Sequence, residues 1–188
     1  MDILTKEEFM LQKEAFMADL EDGELFIYPT DTIYGIGCDA TNEIAVYNLR
    51  NIKKIPTRPV SIIAPSKEWI KEHFEVNDKA SEWIDKLPGP YTLVLKCKNG
   101  CMPSNISDTG SIGVRIPDHW ISSFVSEFGK PIVTTSANIT GKSFMTNIDD
   151  LDTSIKKKTL FFIDEGDIQG KPSDIIFLDK NKVEIKER

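Results

Sequence analysis

The chain is poor in the residues that usually announce chemistry. It holds two histidines, three cysteines and three tryptophans among 188 residues. Only Cys97 and Cys101 lie close together in sequence, and no histidine stands near them to complete a tetrahedral metal set, which argues against a zinc site. The three thiols are expected to be reduced, with Cys38 a small buried thiol that has no base beside it. A long apolar run is also missing. With 40% hydrophobic and 28% charged residues, the composition fits neither a membrane-spanning chain nor a disordered one. The opening Met1-Asp2-Ile3-Leu4-Thr5-Lys6-Glu7-Glu8 lacks a basic stretch followed by an apolar one, so no secretory signal is expected and the cytoplasm is the expected location. Positive charge is in deficit too, at 23 Lys and Arg against 30 Asp and Glu, a net charge of −7. Proteins that grip nucleic acid through phosphates usually carry a basic face, so any RNA contact is expected to be local or transient.

The length suits one domain over residues 1–188 with a sizeable core. Thr5 with Glu8 forms a capping-box pattern, and Phe9, Phe16 and Leu20 recur at helical spacing, predicting one amphipathic helix up to Gly23. Leu25 to Tyr28 reads as a buried strand stopped by Pro29. Asn42 caps a helix over Glu43–Lys53, with Pro56 as its stop. A strand over Pro59–Ala64 follows, then a short helix from Ser66 to a solvent-facing His73, and a helix over Asp78–Lys86 whose Trp83 belongs to the core. Strands are expected over Tyr91–Lys96, Ile112–Ile116 and Pro131–Thr135, with a turn at Asn99-Gly100 and a helix over His119–Phe128. After a polar loop to Asn147 come a helix near Asp149–Lys156 and a strand over Leu160–Ile163. A hairpin of Asp174–Leu178 and Val183–Lys186 about Lys180-Asn181 closes the chain. Alternating strands and helices with a terminal hairpin predict an α/β fold, a twisted, mixed parallel and antiparallel open sheet with flanking helices.

One stretch stands apart. Tyr28-Pro29-Thr30-Asp31-Thr32-Ile33-Tyr34-Gly35-Ile36-Gly37-Cys38-Asp39-Ala40 places two hydroxyls, a carboxylate and a phenol just past a strand end, where open α/β sheets often bind ligands. It resembles the opening signature of the YrdC-like family, the threonylcarbamoyl-AMP synthases of tRNA modification. Further matches are Pro88-Gly89-Pro90-Tyr91-Thr92-Leu93-Val94-Leu95, Gly113-Val114-Arg115-Ile116-Pro117-Asp118-His119 and Thr135-Ser136-Ala137-Asn138-Ile139-Thr140-Gly141. Together they carry the resemblance from about residue 24 to about residue 178.

The resemblance implies a single-domain nucleotidyltransferase with ATP, L-threonine and bicarbonate as substrates. Mg²⁺ would accompany ATP, and a downstream tRNA threonylcarbamoyl transferase would take the product. The carboxylate of N-carboxy-threonine would attack the α-phosphate, a reaction that asks mainly for positioning and charge neutralisation, which Lys, Arg and hydroxyls can supply. By transfer from the family motifs, Lys53, Lys54 and Arg58 would meet ATP, with Lys53 and Arg58 neutralising charge in the reaction. Arg115 would hold the threonine carboxylate, its fork suiting bidentate capture. Thr30, Thr134 and Ser173 would share that pocket, and Ser111 would reach the nucleotide. Ser136 and Asn138, alternating along an extended segment, would face the phosphates together and stand exposed without them.

Each residue also has a plainer account. Lys54 and Arg58 equally fit a solvated helix end, Arg115 a lone charge on an edge strand, and Ser136-Ala137-Asn138 a polar turn. The chain departs from the family pattern at three places. Ile55 stands where the Lys-x-Arg motif has its arginine, Ile63 where a histidine is common, and Asp174 where Thr is usual. Two alternatives therefore stay open: an RNA-binding module of the same fold, and a relative that adenylates a different carbamate or carboxylate.

Overall fold

The computed structural model describes every residue except Pro56, Thr57, Asn99, Asn181 and Lys182. The predicted helix stop at Pro56, Asn99 of the Asn99-Gly100 turn and Asn181 of the hairpin turn lie outside the described residues. The elements in chain order are β1 (Asp2–Leu4), α1 (Lys6–Leu11), α2 (Lys13–Glu21), β2 (Phe26–Tyr28), β3 (Gly35–Gly37), α3 (Glu43–Lys53), β4 (Ser61–Ile63), α4 (Lys67–His73) and α5 (Asp78–Asp85). They continue with β5 (Tyr91–Lys96), β6 (Ser111–Arg115), α6 (Ile121–Phe128), β7 (Ile132–Ser136), a 3₁₀ turn at Ile148–Asp150, α7 (Thr153–Lys156), β8 (Phe161–Ile163), β9 (Asp174–Phe177) and β10 (Glu184–Lys186).

The strands join in one mixed sheet in the order β1-β8-β2-β3-β7-β4-β6-β5-β9-β10. β8 runs parallel to β1 and β2, β4 to β6, and β5 to β9; the other pairings are antiparallel. No described helix is long and apolar enough to cross a membrane.

Side-chain alternation gives the sheet two faces. One carries Ile27, Ile36, Ile62, Leu93, Val114, Val133 and Phe162, packed against Ala45, Val46 and Leu49 of α3, Ile70 of α4 and Ile84 of α5. The other splits in two. Its β8 and β2 half presents Phe161, Ile163, Phe26 and Tyr28, closed over by Phe9, Leu20, Ile121, Phe124 and Val125 of α1, α2 and α6. Its β7, β4, β6 and β5 half presents Thr134, Ser61, Gly113, Arg115 and Thr92, and there the functional cavity lies.

Several elements differ from the sequence reading. The N-terminal helix is two helices, broken at Gln12, where φ is −119° and ψ is 16°. The break lets Phe9 and Phe16 stack at 5.1 Å, with Phe16 packing 4.4 Å from Phe161, while the Thr5–Glu8 capping box forms as expected. β1 and β3 were not foreseen. β3 exists because Gly35 and Gly37 leave room for the Tyr28 ring: a Cβ on Gly37 would lie 2.3 Å from the Val133 carbonyl and 2.9 Å from that ring. The expected helix near Asp149–Lys156 divides into the 3₁₀ turn and α7. His73 is half-buried, stacked on Trp69 at 4.1 Å, and Trp83 packs half-buried against the core as expected, edge-on to Tyr91. Cys97 and Cys101 form a disulfide, correcting the expectation of reduced thiols: the turn after β5 brings their Cα atoms to 5.7 Å. Cys38 is free and buried, and burial pushes its thiol up.

Candidate active site

The cavity has a volume of about 510 Å³, a size suited to a small ligand. Its floor is the polar half-face. Ser61 on β4 lies beside Gly113 on β6 and Thr134 on β7 in one row. Gly113 leaves room there: a Cβ would meet the Ser61 hydroxyl at 2.5 Å and the Thr92 methyl at 2.9 Å. Threonine and serine hydroxyls supply much of the lining, with Thr30, Thr32, Ser61, Thr92, Thr134, Thr135, Ser136, Thr140 and Ser173 all contributing. The Ser173 and Thr92 hydroxyls bond each other at 2.6 Å, joining the strap before β9 to β5. That strap is also held by Tyr34, whose hydroxyl donates to the Gly166 carbonyl at 2.8 Å and accepts from the Glu165 N–H at 2.9 Å. Burial pushes the Tyr34 phenol up to about 12.

Among the described residues, the charged ones that line the cavity are Lys53, Arg58, Arg115, Lys142 and Arg188, all cations, in a chain whose net charge is −7. Concentrating one sign in a concave site attracts anions.

Arg115 sits on an interior strand between β4 and β5 and is 5% exposed, not a charge on an edge strand. One end of its guanidinium pairs with Asp31, whose other oxygen accepts the Asp118 N–H at 3.0 Å, and a second nitrogen reaches the Thr32 hydroxyl at 3.3 Å. Its Nε–H is buried without an acceptor among the described residues. Burial pulls the Arg115 pKa down, and Asp31 pulls it back. Thr30 shapes the loop that delivers Asp31 and Thr32. Its hydroxyl accepts the N–H groups of Thr32 and Ile33 at 3.2 Å and donates to the Ile33 carbonyl at 2.7 Å.

Lys53, at the end of α3, is 3% exposed. Its ammonium donates to the Ser136 carbonyl, to the Asn138 carbonyl at 2.7 Å, and to the Ser136 hydroxyl and Asn138 Oδ1 at 3.3 Å. With no carboxylate among these partners, burial pushes Lys53 down to about 8. The Ser136 hydroxyl donates to Asn138 Oδ1, so the two side chains share one side of the segment as the alternation predicts. They are not exposed as expected, however: Asn138 is 8% exposed and committed to Lys53.

The structure thus brings Lys53, Arg58, Thr30, Arg115, Thr134, Ser173, Ser136 and Asn138 to one cavity. It does not bring Lys54 and Ser111 there. Lys54 is an exposed helix C-cap with φ of 56°, and Ser111 opens β6 paired with Lys96. Ile55 lines the cavity, whereas Ile63 packs in the aromatic cluster. Ser61, Thr92, Lys142 and Arg188 escaped the sequence reading, and Asp31 entered it only as the carboxylate of the signature stretch, not as the partner of Arg115. The polar Ser61 and Thr92 amid apolar strand residues were the available signal.

A twisted mixed sheet with a cationic, hydroxyl-lined cavity on one face defines a protein built to bind anionic small molecules. The chain belongs to the Sua5/YciO/YrdC family, whose pattern, described as "Telomere recombination", matches residues 18–188. A Vibrio campbellii protein named threonylcarbamoyl-AMP synthase is 30% identical over 170 residues, covering 86% of this chain and 91% of that one. A Methanocaldococcus jannaschii relative, which bears the same name with a provisional qualifier, is 40% identical over 183 residues, or 96% of this chain and 86% of its own. The crystal structure of P. abyssi Sua5 complexed with L-threonine superposes with a TM-score of 0.85 at 28% identity. That match covers 98% of this chain and 56% of the Sua5 chain, so this chain spans a little over half its length.

Proposed function

We propose that the cavity is the active site of a threonylcarbamoyl-AMP synthase, a nucleotidyltransferase that makes L-threonylcarbamoyladenylate and pyrophosphate from ATP, L-threonine and bicarbonate. The observation that carries this reading is Arg115: a buried guanidinium whose Nε–H is unpaired among the described residues, set in the floor of a cavity whose described charged lining residues are all cations. The names of the relatives support the activity, and the threonine bound in Sua5 supports the amino acid.

In this reading Arg115 holds the threonine carboxylate, with Thr30, Thr134 and Ser173 lining the same pocket. The threonine amine adds to bicarbonate with loss of water, giving a carbamate. A carbamate oxygen then attacks the α-phosphorus, the new P–O bond forming as the bond to pyrophosphate breaks. The chain contributes positioning and charge rather than a covalent intermediate. Lys53, Arg58, Ser136 and Asn138 line the nucleotide side. No carboxylate lines the cavity and no cluster of three or more metal-ligating residues occurs among the described residues, so Mg²⁺ would enter as MgATP, carried by the substrate's own phosphates. The product would pass to the transferase that modifies tRNA position 37, in the cytoplasm.

Pyrophosphate release measured with threonine and bicarbonate supplied together and separately tests the reading. Release is expected only with both; release undiminished without bicarbonate would refute the carbamate nucleophile, and full activity with other carboxylates would favour a different substrate.

A further inference from the structure

One cation in the cavity wall is tied to a partner outside it. Lys142 stands in the wall near Gly141 and Phe144, yet its ammonium donates to Asp152 Oδ2 at 2.6 Å. Asp152 does not line the cavity: it is the N-cap of α7, and its Oδ1 accepts from the Ser154 N–H at 2.9 Å and the Ser154 hydroxyl at 2.6 Å. The Lys142 ammonium, followed by the Ser154 donors, holds the Asp152 carboxyl well below the usual carboxylate range. The Lys142 side chain is 65% exposed, so the ion pair is of the solvent-screened kind that contributes little and can part readily. Asp152 keeps its cap bonds when it parts, because they use the other oxygen.

On the nucleotide side of the cavity such a cation would add to Arg58. Lys53 has its three N–H donors spread over four acceptors of the chain itself, so it offers a polyphosphate charge but few free donors. Ile55, which also lines the cavity, has no charge to offer. The backbone carrying Lys142 is fixed beside Lys53: Asn138 Nδ2 donates to the Lys142 carbonyl at 2.6 Å, and the Thr140 hydroxyl donates to the Lys53 carbonyl at 2.9 Å. The four-carbon lysine stem can therefore swing from Asp152 into the cavity by rotamer change alone, without moving the loop.

We propose that Lys142 is a phosphate-binding residue of this site, held on Asp152 until a polyphosphate draws its ammonium across to the β- and γ-phosphates of ATP. The proposal rests on the nucleotide reading above and goes beyond it in naming the group that grips the leaving pyrophosphate.

Calorimetric titration of ATP, pyrophosphate and AMP into wild type, Lys142→Met and Asp152→Asn, with thermal melts of each, tests it. Lys142→Met is expected to weaken ATP and pyrophosphate about tenfold, as loss of a charge-assisted contact, and to leave AMP within twofold. Asp152→Asn keeps an N-capping residue and frees the lysine, so at low ionic strength ATP and pyrophosphate should bind about two- to threefold tighter, with AMP and the melting temperature unchanged. ATP affinity within twofold of wild type in Lys142→Met, AMP weakened as much as ATP, or no tightening in Asp152→Asn would overturn it. A wild type that binds no ATP refutes the nucleotide reading itself, whereas a wild type that binds ATP no better than Lys142→Met refutes only the role of Lys142.

Discussion

The two halves of one sheet face are built from the same backbone and serve opposite ends. On β8 and β2, rings pack at 4.4 to 5.2 Å under three helices, with Phe161 touching Phe16 and Phe26, and water is excluded. On β7, β4, β6 and β5 the equivalent positions hold Thr134, Ser61, Gly113, Arg115 and Thr92, and a cavity stands where rings would otherwise be. The boundary is Tyr28, whose ring lies across Gly35 and Gly37 and whose hydroxyl donates to the Val133 carbonyl at 3.2 Å. Side-chain chemistry, not topology, decides which half is core and which is site. The core half is stabilised by burial, while the site half keeps a buried cation whose Nε–H has no partner among the described residues, a cost that a bound carboxylate would offset.

Breaking the closed half should cost stability alone. Phe161→Ala removes a fully buried ring and is expected to destabilise by about 3–5 kcal/mol, read by denaturant unfolding, with kcat per folded molecule unchanged. A loss of activity at full stability would erase the division. The open half should show the reverse. Arg115→Lys keeps the charge that faces Asp31 but loses the fork, so KM for threonine should rise by about 2–3 kcal/mol in free energy while ATP is spared; equal weakening of both substrates would give Arg115 a structural role.

Asn138 tests the seam between binding and stability. Asn138→Ala takes an acceptor from a buried ammonium, so about 1–2 kcal/mol should disappear from both thermal stability and ATP binding. A loss confined to stability would make the segment a turn and nothing more. The smallest effect is in pH. Lys53 is pushed down to about 8, so it is charged below that pH and neutral above it. ATP phosphates favour the charged form, and nucleotide affinity should therefore fall as pH rises from 7 to 9, by less than the loss of Asn138 because the other cations of the cavity stay charged. Lys53→Met should be weaker throughout and flat over that range; an equal slope in the variant would assign the titration to another group.

Much of this was legible in the sequence, for physical reasons. Apolar runs and the turn residues that bound them gave β2, β5, β6, β7 and the β9–β10 hairpin, and the caps at Asn42, Ser66 and Thr5 read true because each satisfies backbone N–H groups locally. β3 was hidden because Gly-Ile-Gly has little strand preference of its own and forms a strand only under Tyr28. The break at Gln12 answers to Phe161, far away in sequence. The pairing of Asp31 with Arg115, 84 residues on, is a contact across the fold that no local spacing encodes.

The most direct measurement follows carbon from bicarbonate. With ATP, L-threonine and ¹³C-bicarbonate, mass spectrometry of the quenched mixture should find an adenylate carrying one labelled carbon, formed in step with pyrophosphate and missing when threonine is withheld. Pyrophosphate formed alongside AMP alone, or an adenylate without the label, would contradict the assignment of this cavity to carbamate adenylation.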